Sequence, residues 1–212
     1  MSSGESLLNI ESLSEQIPYY LTSEQKVGLA KALSDFPHNT RYYLSKSRCP
    51  ELQSSLLQGD IFKSLKIFNE DGDFKEVKGI IISNSCDIDC NNQRDLPARA
   101  LFSPLISLNK YGALLARHGK SEDAINEKLS AIKEQRITNI VYLPATDSME
   151  ESIALLDDIH QLTAKKLKEH LDGSNKEFTL SQVGFYILLF KLSIHFCRFH
   201  ENVARYESSS KP

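Results

Sequence analysis

Apolar positions along this chain change rhythm several times, and each change predicts a different element. Behind Thr22, the residues Val27, Leu29, Ala30, Leu33 and Phe36 recur at helical spacing, and Thr22 with Gln25 three residues on makes a capping box. The spacing predicts a helix over 23–35, followed closely by Pro37. Residues 39–49, with Tyr42 and Tyr43, read as an extended or looped passage. From Gly59 short apolar runs take over: Ile61-Phe62, a turn at Glu70-Asp71-Gly72-Asp73, then 77–82. Asp71-Gly72 suits a hairpin connection, and the β-branched run Gly79-Ile80-Ile81-Ile82 suits a strand buried on both faces.

Two further strands are predicted at 100–108 and 137–143, with a polar helical insert between them. In that insert Ile125, Leu129 and Ile132 recur at i, i+4, i+7 behind the acidic start Glu122-Asp123. Residues 150–172 carry two patterns. Ser148 and Glu151 offer a capping box, and Ile153, Leu156, His160, Ala164, Leu167 and Leu171 share one helical stripe ending at Gly173. Residues 151–162 also suit a strand that closes a small barrel; periodicity alone favours the helix, and strand pairing can override it. A long helix is predicted over 181–206. Its stripes are Val183-Ile187-Phe190-Ile194-Cys197 and Phe185-Leu189-Leu192-Phe196-Phe199-Val203, and its first half is apolar nearly all round. The resulting plan is a polar arm over 1–20 and one α+β domain over 21–207. That domain has a barrel core at about 57–165, an N-terminal helix, a helical insert and the long C-terminal helix; a tail over 208–212 completes the chain.

Composition narrows the possible partners. The formal charge of −3, from 25 Lys+Arg against 28 Asp+Glu, gives no global attraction to nucleic acid or to an anionic membrane. No basic start leads into a long apolar run, and the stretch 185–190 is cut by Lys191, so a cytoplasmic protein without a membrane span is expected. Four cysteines, Cys49, Cys86, Cys90 and Cys197, are too few for a disulfide scaffold in 212 residues and are expected as free thiols.

Candidate chemistry is concentrated at Cys86-x-x-x-Cys90 with Asp87 and Asp89. Two cysteines supply half of a tetrahedral zinc site, to be completed from afar by Cys49, His195, Cys197 or His200. A catalytic thiol at Cys86 would need a base such as His195. The structural alternative makes Cys86 a small buried residue at a strand end and Asp87 the cap of the next turn. Asp60, after Gly59, is a catalytic candidate or a turn residue. Lys191, His195, Arg198, Asn202 and Arg205 make a basic-biased stripe on the last helix, either a phosphate, RNA or acidic-partner surface or a plain solvated face. No cofactor motif is present: there is no Gly-rich phosphate loop, no Gly-x-Ser-x-Gly and no His-Glu-x-x-His.

Taken together, Gln58-Gly59-Asp60-Ile61-Phe62, the run from Gly79 to Ile88, and Ala100-Leu101-Phe102-Ser103-Pro104-Leu105 resemble a group of uncharacterised bacterial proteins with a "GDI…SxxCDI" pattern. The resemblance runs from about residue 57 to the terminal helix and implies a small barrel with a helical end. Over about 30 residues the chain is also similar to the small SH3-like barrels of the MazF/PemK toxin endoribonucleases. In those toxins Arg-Pro precedes the apolar strand, and the arginine is implicated in stabilising phosphoryl transfer. Lys78-Gly79 stands there in this chain, and lysine keeps the charge but loses the planar fork that holds phosphate bidentately. An apolar terminal helix larger than the strands beside it can cover, with no complete catalytic constellation, points to a non-catalytic binding or assembly module, and the resemblance implies a bacterial defence or toxin–antitoxin setting for it. Such a module would contact a protein partner or itself through the C-terminal helix, with nucleic acid as a further partner. The alternative is a MazF-like ribonuclease using Lys78, Asp60 and the Cys86 region.

Overall fold

The computed structural model describes residues 22–34, 41–45, 49–68, 71–92 and 94–196. The predicted arm, the tail and the end of the last helix, with Cys197, Arg198, His200 and Arg205, lie outside the described residues. In chain order the elements are α1 (Ser23–Ser34), a 3-10 turn (Pro50–Ser54), β1 (Ile61–Phe68), β2 (Phe74–Ile81), the one-turn α2 (Ser85–Ile88) and β3 (Arg99–Ser107). Next come α3 (Leu108–Arg117), α4 (Glu122–Lys133), β4 (Ile140–Leu143), β5 (Ser152–Leu155), β6 (His160–Thr163), α5 (Ala164–Asp172), β7 (Lys176–Phe178) and α6 (Gln182–Phe196).

The protein is α+β, with all seven strands in one antiparallel sheet of order β4-β5-β3-β2-β1-β7, β6 also pairing with β3. Gly72, at φ 86°, turns the β1–β2 hairpin, which sets Ile61 opposite Ile80 and Phe68 opposite Phe74. Alternation along β2 then sends neighbouring isoleucines to opposite faces. Ile80 joins Ile61, Val141, Leu143, Ile187 and Leu188 under α6, and Ile81 joins Phe62, Leu65, Phe102, Leu167 and Leu171. Both are fully buried, each worth roughly 1.5–3 kcal/mol. A Cβ on Gly79 would stand 2.9 Å from both Leu65 Cδ1 and Phe102 Cδ2, so the second core closes across the bare backbone at that position.

Residues 150–172 divide between the two expected patterns. β5 and β6 lie in succession on the same edge of β3, Ala154 opposite Leu105 and His160 opposite Phe102, with 156–159 looped out between them. The unpaired edge of β3 overrides helical periodicity there, because each paired residue satisfies backbone groups that burial would otherwise leave costly. Helix starts only where the ladder stops: the Thr163 hydroxyl caps α5 by accepting from Lys166 N at 3.2 Å, and Ala164, Leu167 and Leu171 are its buried stripe.

The expected barrel is corrected in one respect, because the sheet does not close. β1 is bulged between Phe62 and Leu65, and short β7 covers its outer edge only at Ile61–Phe62. Among the described residues the far end of β1 meets β6 not by strand pairing but across an open cleft of about 440 Å³. Within the insert, α3 and α4 are capped by Ser107 and Ser121 and pack on β4 through Leu108, Ile132 and Ile140. Among the described residues no helix is long and apolar enough to cross a membrane. The described part of α6 is itself well covered: Gly184, Ile187, Leu188, Phe190 and Lys191 are buried, while Phe196 at its end is exposed.

Candidate functional site

The two segments singled out by pattern do meet, and backbone geometry brings them together. Gly59 adopts φ 86°, and a Cβ there would fall 2.7 Å from Leu180 Cδ1, so this turn requires glycine. Its N–H donates to Ile81 O at 2.8 Å, and Gln58 N donates to Ser85 Oγ at 2.9 Å. The start of β1 is thereby tied to the turn after β2.

The carboxylate of Asp60 nevertheless turns inward. It is fully buried, Oδ2 lying 2.8 Å from Lys176 Nζ and accepting from Leu57 N at 2.8 Å, while Oδ1 accepts from Thr179 Oγ1 at 2.8 Å. Burial raises this carboxyl above its ordinary range, and Lys176 with the hydrogen bonds pulls it back. Lys176 also donates to Leu52 O at 2.8 Å and Ser55 O at 2.9 Å, which fastens the 3-10 turn to the sheet. Every acceptor and donor of this pair faces protein, so Asp60 is a structural ion rather than a group open to a ligand. Lys78 is similarly engaged, with Nζ 2.6 Å from Oε2 of Glu177, whose side chain is nearly buried.

Cys86 departs from the buried strand-end residue of the structural alternative: it is exposed. β2 ends at Ile81, the buried place in the next turn belongs to Ile88, and the cap is Asn84, whose Oδ1 accepts from Cys86 N at 2.9 Å, not Asp87. Asp87 is exposed, 3.5 Å from Arg94 Nη2. Cys86 and Cys90 line one cleft of about 320 Å³ with Ser55, Leu57, Asp89 and Lys168. Among the described residues no histidine lines it. His195, the base a thiol nucleophile would borrow, instead lies 3.3 Å from Asp157 Oδ1. Among the described residues no three His, Cys, Asp or Glu side chains gather to hold a metal, and Cys86 with Cys90 remains a pair.

The stripe assigned to the last helix is broken at its first member. Lys191 is only 2% exposed; Nζ donates to Gln135 O at 3.0 Å and to Ile137 O, and burial lowers the amine to about 8. Gln135, held at φ 57°, is the hub of this corner. Its Nε2 donates to Tyr42 Oη and Tyr142 O, both at 2.8 Å, and its Oε1 accepts from Tyr142 N at 3.1 Å. These bonds dock α6 onto the end of α4, so Lys191 serves packing and not a surface.

The more open arrangement is the cleft at the seam of the sheet, lined by Lys66, Phe68, Arg99, Leu101, His160 and Gln161, among others. Phe68 and Phe74 are 63% and 55% exposed, their centroids 6.1 Å apart, and Lys66 Nζ sits 4.2 Å above the Phe74 ring. His160 Nε2 lies 2.8 Å from Asp158 Oδ1. The sequence holds one signal for this cleft: Phe68 and Phe74 stand three residues either side of Asp71, so a hairpin turning there makes them opposite neighbours. Arg99 and His160 arrive from strands far along the chain. Compared with models of known protein families the chain matches none, and among curated proteins no relative matches it either.

Proposed function

We propose that this chain is a non-catalytic binding module, an opened relative of the SH3-like or PemK-like barrel, working in the cytoplasm. One observation carries the reading: the groups a toxin-like mechanism would use already have partners within the chain, buried Asp60 in Lys176, Thr179 and Leu57, and half-buried Lys78 in Glu177. A phosphoryl-transfer centre needs donors directed at the place where charge develops, whereas Lys78 is directed at the Glu177 carboxylate and Asp60 is enclosed. A role in a bacterial defence or toxin–antitoxin system rests on the sequence resemblance alone. Assembly with a protein partner or a second copy through the C-terminal helix would use the exposed Phe196 end of α6, since the preceding turns are packed.

Incubating the purified protein with mixed RNA tests the reading. Intact RNA is the expected outcome for both the parent chain and Lys78→Ala. Cleavage that disappears in Lys78→Ala would overturn it in favour of the ribonuclease alternative. Mass in solution at high concentration tests the assembly part, and a strict monomer would remove it.

A further inference from the structure

We infer that the seam cleft between β1 and β6 binds single-stranded nucleic acid, with Phe68 as a stacking platform and Lys66 and Arg99 as phosphate contacts. The inference rests on the reading of the chain as a binding module and assigns that module its ligand class. Three observations support it together. Among the described residues the titratable side chains lining the cleft, Lys66, Arg99 and His160, are all basic, in a protein whose formal charge is −3, with Asp158 as the one carboxylate paired to them, 2.8 Å from His160. Among the described residues neither Lys66 nor Arg99 has an ion-pair partner; Glu76, directly opposite Lys66 in the hairpin, instead accepts from Ser64 Oγ at 2.7 Å. Lastly, two phenyl rings stand at the rim with more than half of their surface in water, where burial would ordinarily draw them in.

The rings do different jobs. Phe68 and Phe74 are tilted by 53°, so neither covers the other's face. Lys66 occupies one face of Phe74 and is held at the rim by it, which leaves Phe68, itself a lining residue, to receive a base. Planar bases with a phosphate repeat match this pairing of an open π-face with nearby cations, and the match is tolerant of sequence because every base has a π-face. A duplex has its bases stacked inside and offers no free base to the ring. Double-stranded nucleic acid should therefore bind through charge alone.

Fluorescence anisotropy with short labelled oligo(dT), oligo(U) and a duplex of equal length tests the assignment on the full chain. Both single strands should bind, and the duplex more weakly. Phe68→Ala should weaken single-strand binding about tenfold or more, while Phe68→Tyr, which keeps the ring, should leave it nearly unchanged. Lys66→Ala with Arg99→Ala should flatten the dependence of log affinity on log salt by about 1.4, the share of two phosphates on a single strand. No binding at roughly 100 µM protein in low salt, the weak end of non-specific association, overturns the inference. So does binding that Phe68→Ala leaves intact, or a duplex bound as tightly as a single strand. Circular dichroism melts of each variant separate a lost contact from a lost fold. Running the same oligo(U) samples on a gel keeps the two readings apart: shortened RNA sinks the non-catalytic reading, whereas intact and unbound RNA sinks only the ligand assignment.

Discussion

Strand β1 passes through two environments within eight residues, and they treat charge in opposite ways. At its start, beside Gly59 and the turn after β2, the strand has neighbours on both edges and its carboxylate is enclosed: Asp60 is held by Lys176 and Thr179. At its end, beyond the bulge, the second edge is unpaired among the described residues and Lys66, Phe68 and Arg99 face an open cleft. The lesson is that a residue type carries little function until its surroundings are known. An aspartate in a Gly-Asp-Ile motif is a structural ion here, and an unremarkable Lys-x-Phe at a hairpin end makes the more available surface.

Removing the enclosed charge should give the largest effect. Asp60→Ala leaves Lys176 buried without its carboxylate, and chemical denaturation should record a loss of about 3–5 kcal/mol. A loss below about 1 kcal/mol would mean that the closed end is not held by this pair, and the comparison would fail.

Lys191 sharpens the contrast from the other side, because it is a buried cation with backbone carbonyls as its recorded partners. Its amine is lowered from 10.5 to about 8, so between those values the unfolded chain binds more protons than the folded one. Its contribution to stability is therefore fully present above pH 10.5 and is lost as the pH falls towards 8. Relative to Lys191→Met, the protein should gain up to about 3 kcal/mol of stability as the pH is raised through that window. The neutral amine still carries two N–H donors for the two carbonyls, so deprotonation need not break the contact. Parallel stability curves for the two proteins would show that this lysine is not held in a desolvated site. Above about pH 10 the buried Tyr42, whose hydroxyl is raised by burial, works in the opposite direction, and Lys191→Met shares that effect.

The open end should show the smallest response in stability. Phe68→Ala and Phe74→Ala remove rings that are mostly in water and should each change unfolding free energy by less than about 1 kcal/mol. A loss above about 2 kcal/mol in either would identify the rings as structural and would weaken their assignment as a binding surface.

Local pattern made a good part of this architecture legible. The helix behind Thr22, the Asp71-Gly72 hairpin, the doubly buried Ile80-Ile81 strand, the amphipathic helix behind Ser121 and the start of α6 near Ser181 all arise from spacing, capping and turn chemistry. Each depends on interactions within a few residues, which a sequence records directly. The stripe from Ala164 to Leu171 belongs to the same class.

What local pattern could not decide is where long-range pairing competes with it or completes it. Residues 152–155 and 160–163 are strands because β3 has a free edge to offer, although their apolar spacing is also helical. Lys191 falls on a polar stripe in projection, yet the end of α4 and Gln135 enclose it. Asp60 finds its cation 116 positions along the chain, and Lys66 and Arg99 share a cleft only because the sheet curls without closing. The sequence by itself determined the helices, the hairpin and the core strand whose pattern had no competitor, since those choices rest on neighbouring residues and the burial of apolar surface. Tertiary structure alone decided which charged groups are enclosed and which are left facing solvent, because charge partnership depends on distance through space and not on distance along the chain.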